Sequence, residues 1–290
     1  GSVAVQAGGT VGTLVNGGTI QTYGTLSQIG SIVPTAGTVT IRLGTTTYTI
    51  IPAASNNSSP AVATFIGNSI NPYQWLGISG TDVGSLANWT MSGFSPIVLP
   101  GVYDTAIFDL NLGGILTGTL NTYSIDFEGT GGWTLGTGAS FTGSSTIAVA
   151  ASSSATALNV GSGASLTTMG RILIGTGTGL TGSATVSAGG VIRQSAASTT
   201  AFAFLTEMVI GAGTASTGNV LVTGAGSRID LGHNGLTVGY ATGSSGTLTV
   251  AQGGTVIAAT DTTSQRIALG IGANGVGSVT VTDAGSQLTA

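Results

Sequence analysis

The chain has 290 residues, 51 of them Gly, with no Cys, no Lys and a net charge of −4. Only 5% of residues are charged, against about 25% in ordinary globular domains, and 41% are hydrophobic, a composition unlike both disordered segments and typical enzymes. Five scattered Arg (Arg42, Arg171, Arg193, Arg228, Arg266) cannot form the stripe that tracks phosphates, which argues against nucleic acid, and no apolar run approaches about 18 residues despite a mean hydropathy of +0.48.

In chain order, residues 1–50 carry "AGGTVGTLVNGGTIQTYGTL", where Gly-Gly-Thr recurs nine residues on, at Gly8 and Gly17, and this suggests Gly-rich solenoid turns. Residues 51–110 break that pattern. They hold five of the six Pro, Trp75 and Trp89, and the stretches "NPYQWLGISGTDVGSLANW" and "VLPGVYDTAIFD", and they read as an irregular, cap-like segment. From 111 to 290 the chain reads as regular β-solenoid, opening with two related corners in "TLGTGASFTG" and "NVGSGASLTT".

The repetition becomes explicit from 172 to 290, in four copies that start at Ile172, Met208, Leu236 and Ile267. In each copy a first Gly (Gly175, Gly211, Gly239, Gly270) is followed seven residues later by a second (Gly182, Gly218, Gly246, Gly277). A Val stands at eleven (Val186, Val222, Val250, Val281) and a third Gly at fifteen (Gly190, Gly226, Gly254, Gly285). Each 22-residue unit reads as three short strands: an aliphatic pair, an alternating strand, and a closing β-branched pair. All twelve Gly are expected at corners, where a sharp turn needs positive φ. Three strands and three corners make one coil, so the expected fold is an all-β, elongated right-handed parallel β-helix of about ten to twelve coils stacked at about 4.8 Å, its narrow interior filled by Val, Ile, Leu and Ala.

Variation concentrates in the connectors 194–207, 230–235 and 258–266. Of the eight ionisable residues after Ile172, five (Glu207, Asp230, His233, Asp261, Arg266) fall there, which makes these loops the candidate interaction sites. Catalytic chemistry is sparse. "GTGLTG" at 177–182 matches a dinucleotide fingerprint, but no helix or acidic ribose partner follows it. A Walker loop would need Lys, and the single His233 reads as a surface turn residue with no second metal ligand beside it. Asp126 and Glu128, two apart in "SIDFEG", would share one strand face and are the weak catalytic candidates, in the manner of a polysaccharide-active enzyme. Trp75, Trp89 and Trp133 read as core or cap residues rather than sugar platforms, and Asn56, Asn57 and Asn88 form chance sequons. No cofactor and no metal are expected.

The four-copy unit, "LTVGYATGSSGTLTVAQGGTV" above all, resembles the repeats of bacterial type V secretion passengers, the autotransporter adhesins. The Trp75 to Trp89 segment followed by "LPGVYDTAIFD" is similar to a segment that precedes such repeats, and the Gly-Gly-Thr turns resemble those of self-associating passengers. The resemblance covers about two thirds of the chain and bears on architecture more than on ligand, because solenoid repeats serve many functions. It implies a passenger fragment of an adhesin, secreted or on the bacterial cell surface, which meets a host or neighbouring-cell surface, with a glycan as one ligand class, or associates with itself in biofilm. The opening "GSVAVQAGG", with Gly1 and Ser2 read as a cloning remnant, and the stop at "DAGSQLTA" inside a repeat fit a fragment whose membrane-inserting C-terminal translocator lies elsewhere. The alternatives are a polysaccharide-active β-helix enzyme and a purely structural stalk or surface-layer component.

Overall fold

The computed structural model describes side chains for residues 72–90, 99–102, 104–110, 113–152, 156–195, 207–258 and 267–290, with backbone strands alone N-terminal to these. In that N-terminal part Ser2–Val5, Gly18–Thr22 and Val39–Leu43 run parallel, Thr46–Ile50 joins antiparallel, and Leu14–Val15 pairs with Ile32–Val33. Ser2 pairs with Thr19 and Thr19 with Thr40, so a strand returns beside its predecessor after far more than the nine residues that separate the Gly-Gly-Thr pairs. Gly8 and Gly17 themselves lie outside the described residues.

From Asp104 to Thr289 the described strands visit three sheets in strict rotation, A to B to C, seven times. Sheet A takes Asp104–Phe108, Ser124–Phe127, Thr146–Val149, Arg171–Ile174, Met208–Ile210, Leu236–Val238 and Ile267–Leu269. Sheet B takes Gly114–Leu116, Gly132–Leu135, Thr156–Val160, Thr181–Ser187, Thr217–Thr223, Ser245–Ala251 and Val276–Val281. Sheet C takes Thr119–Thr122, Ser140–Gly143, Ser165–Thr168, Val191–Gln194, Arg228–Asp230, Thr255–Ile257 and Gln287–Thr289. Successive strands within each of these runs are parallel and in register, so that Ile125, Ile147, Ile172, Met208, Leu236 and Ile267 form one column.

The strands follow from alternation. In Thr217–Thr223 the residues Gly218, Val220 and Val222 are buried while Thr217, Asn219, Leu221 and Thr223 are not, and β-branched residues suit both faces of such a pleat. The glycines divide into distinct roles, and this corrects the expectation that all of them are corners. The first Gly of each unit does turn the chain from sheet A to sheet B in the left-handed region, as Gly239 does at φ 75. The second lies inside a strand of sheet B and faces inward, for a steric reason: a Cβ on Gly182 would sit 2.5 Å from the amide nitrogen of Gly175, the first Gly of the same unit. The seven-residue spacing therefore records two backbone segments pressed together at one edge.

The third Gly shows that the sheet B to sheet C turn comes in two lengths. In rounds with Gly190 and Gly254 the left-handed residues are Ala188 with Gly189 and Gln252 with Gly253, and the next strand starts at Val191 or Thr255. In rounds with Gly226 and Gly285 the left-handed pairs are Gly224 with Gly226 and Asp283 with Gly285, and the strand starts one residue later in the repeat, at Arg228 or Gln287. Each longer turn supplies a serine whose Oγ accepts the amide of the shorter turn beneath it: Ser227 from Gly189 at 3.1 Å and Ser286 from Gly253 at 3.0 Å.

The expected irregular segment ends earlier than residue 110. Asp104–Phe108 is already the first strand of the rotation, and Asn71–Trp75 pairs parallel with it, while Trp89–Met91 closes that edge of sheet A antiparallel. The interior also departs from the aliphatic expectation at this end. Phe108 stacks on Phe127 at 5.2 Å and meets Trp75, Trp89, Trp133 and Phe141 at 5.4–5.9 Å, whereas the core of the later rounds is built of Ile, Leu, Val and Ala with Met208. The indole N–H of Trp89 donates to the Val83 carbonyl and that of Trp133 to the Glu128 carbonyl, so both large rings are buried with their polar edges satisfied.

Candidate functional site

The three long connectors fall at one corner, between sheet C and the next strand of sheet A, and it is there that the link length varies most. One residue links Thr122 to Ser124 and two link Gly143 to Thr146 and Thr168 to Arg171; then come 195–207, 231–235 and 258–266. The links from sheet A to sheet B, by contrast, hold at six residues from Val149 onward. Of the predicted loop residues, Asp261 and Arg266 lie outside the described residues. His233 is exposed in the turn after Asp230, and Asp230 closes a strand of sheet C rather than belonging to a loop.

Glu207 departs from expectation: it is only 6% exposed. Its backbone carbonyl accepts the Ile172 amide, Thr237 Oγ1 donates to its Oε2 at 3.0 Å, and Arg171 lies 3.5 Å from its Oε1. This carboxylate ties three consecutive strands of sheet A on the side facing away from the core. That side is itself closed to solvent, since Val209 is 0% and Thr237 2% exposed although neither belongs to the core cluster. Glu207→Ala leaves the Thr237 hydroxyl without this acceptor and the Arg171 guanidinium without this counter-charge. A stability loss of about 2 kcal/mol is expected, read as a lower unfolding midpoint in denaturant.

Asp126 and Glu128 do not form an open acid pair. Glu128 is 4% exposed, and both of its carboxylate oxygens accept the backbone amide of Ser152, at 2.8 and 3.1 Å. Asp126 stays on the outer side of sheet A between Ile107 and Ala148, and burial first, the Glu128 charge second, push its carboxyl up from 3.8 to about 6. The folded chain thus holds this proton more tightly than the unfolded chain, so the contribution is fully present below the unfolded value and is lost as pH rises through about 6. Asp126→Asn is expected to raise the melting midpoint at pH 7.5 and to give no advantage below pH 4; melts across that range check the sign. No group of three or more His, Cys, Asp or Glu suited to a metal occurs among the described residues.

The sequon at Asn88 is closed. The side chain is fully buried, accepting the Ser79 amide and donating to the Asp82 carbonyl, while Asn56 and Asn57 lie outside the described residues. What sequence reading missed is a charged cluster on the outer face of sheet C. Arg193 Nη2 donates to Asp230 Oδ2 at 3.2 Å, and Arg228 lies 3.8 Å from the same oxygen. No family model, curated protein or solved structure matches the chain.

Proposed function

We propose that this chain is part of an extracellular adhesin-type passenger: a closed, right-handed parallel β-helix that serves as a rigid wall and presents its irregular connectors along one edge, for adhesion to another cell or for self-association on a bacterial surface. Strict rotation through three parallel sheets supports the solenoid, and the near-universal right-handedness of parallel crossovers supports its hand. The observation that carries the reading is the segregation of variation. The wall is nearly uncharged and repeats in register, whereas the long connectors 195–207, 231–235 and 258–266 all join a strand of sheet C to the next strand of sheet A.

The test displays the chain on a non-adherent bacterium and scores aggregation and attachment. Replacing 196–206 and 259–266 with Gly and Ser is expected to abolish attachment. Exchanging 241–251 for 213–223, which are in register at Thr223 and Ala251, is expected to leave it unchanged. Attachment that survives the connector replacements and is lost on the wall exchange overturns the reading.

A further inference from the structure

The outer face of sheet C carries a charge arrangement found nowhere else among the described residues. Arg193 stands in register with Thr167 on one side and Asp230 on the other, and Arg228 in register with Val191 and Thr255. All these side chains point away from the core, since the alternate residues Leu166, Ile192, Ile229 and Val256 are buried. Two guanidinium groups therefore lie diagonally across adjacent strands and share one carboxylate, which leaves an excess positive charge on a chain whose net charge is −4. Both remain open to solvent, at 48% and 38% exposure, whereas Asp230 is 21% exposed and also accepts the Gly232 amide at 3.3 Å. Arg171, by contrast, is committed to Glu207.

We propose that Arg193 and Arg228 form a binding site for a carboxylate or sulfate group of an acidic polysaccharide lying along sheet C. A guanidinium fork matches either anion through paired N–H donors, and two forks on neighbouring strands can hold one anion between them. The surroundings favour sugar over other polyanions. Ser165, Thr167 and Thr255 offer hydroxyls at the strand spacing to either side of the pair, suited to sugar hydroxyls between widely spaced charges. A nucleic acid, with a phosphate every few ångströms, needs a track of cations that a single pair does not supply. One anion per chain gives modest affinity, which many copies on one surface would multiply along a long polymer. The inference deepens the adhesive reading by naming a ligand class, and rests on it for the ligand being met outside the cell.

Binding by the purified 290-residue chain in solution is measured against polygalacturonate, dextran sulfate, neutral dextran and duplex DNA, separately from any cell assay. Cells that fail to aggregate would thus count against the adhesin reading and leave this measurement intact. Binding to one or both acidic polysaccharides is expected, falling as salt rises, with none to neutral dextran and less to DNA; which polymer binds distinguishes carboxylate from sulfate. Arg193→Gln and Arg228→Gln should each weaken it by about fivefold or more, while Asp230→Asn, which removes the competing carboxylate and keeps a side chain that can accept the Gly232 amide, should strengthen it. Far-UV circular dichroism verifies that each variant is folded. Equal binding to acidic and neutral polymers, an Arg193→Gln/Arg228→Gln double variant that binds like the native chain, or weaker binding by Asp230→Asn overturns the proposal.

Discussion

Gly246→Ala is expected to destabilise the rounds around it by about 3 kcal/mol or more, the cost of forcing an atom into a packed interior that cannot move aside. A Cβ at that position would stand 2.6 Å from the Ile210 carbonyl oxygen and 2.8 Å from Val238 Cγ1, and closer still to the amide nitrogen of Gly239. Two of these three atoms are backbone, fixed by the parallel ladders on either side, so relief needs a shift of the whole corner. Gly243→Ala is the control. Its φ is 66, but the nearest atom to a new Cβ is 3.9 Å away, and the equivalent residue one round earlier is Ala215 at φ 52. Left-handed strain alone is then about 1 kcal/mol. Unfolding midpoints and limited proteolysis of the two variants should separate them clearly. Equal effects would mean that close approach is not what fixes the second glycine.

That glycine shows how far the sequence can be read and where reading stops. Four copies of Gly at zero, seven and fifteen announce a repeating coil with three strands, because such a pattern survives only where each round meets the same constraints. The pattern does not say which constraint acts at each position, since positive φ and the exclusion of a Cβ both select Gly. Gly175 and its equivalents answer to both at once, whereas Gly182 and its equivalents, outside the left-handed region, answer to the second alone.

The Arg193 and Asp230 pairing was hidden for a related reason. Aligning the four units on the third glycine sets Arg193 beside Ile229, which is inward, so no charged pair is visible. The turn through Gly224 and Gly226 runs one residue longer than the turn through Ala188 and Gly189, and the true partner is Asp230. A slip of one residue moves every side chain of a strand to the opposite face, so an alignment without that gap inverts inside and outside for the closing strand. The serine after the longer turn, Ser227 or Ser286, was the available signal: it occurs only in the units that lack Gly-Gly. Glu207 was misjudged because it stands at the end of a long connector, where an acid is ordinarily solvated. Only the register that sets it between Arg171 and Thr237 shows it to be a strut.

Phe108→Ala is expected to cost about 3–5 kcal/mol, the range for emptying a large aromatic side chain from a core, and to act on one end of the molecule only. Phe108 is fully buried and, among the described residues, is the ring in contact with both the edge strands and the first rounds: Trp75 at 5.8 Å and Trp89 at 5.4 Å on one side, Phe127, Trp133 and Phe141 on the other. Its loss should free Asn71–Trp75 and Trp89–Met91 from the edge of sheet A, because those two strands meet the parallel stack through Asp104–Phe108. The chain carries its own reporter, since all three tryptophans belong to this cluster and none lies in the later rounds. Tryptophan emission of the variant should shift to the red and its midpoint fall well below that of the native chain, while amides of sheet B in Thr217–Thr223 and Ser245–Ala251 keep their protection from hydrogen exchange. Val250→Ala, in a round whose interior holds no aromatic ring, should lower stability and leave tryptophan emission in place. Should Phe108→Ala instead melt all rounds together with a single midpoint, the aromatic cluster would be the nucleus of the entire stack rather than its terminal plug.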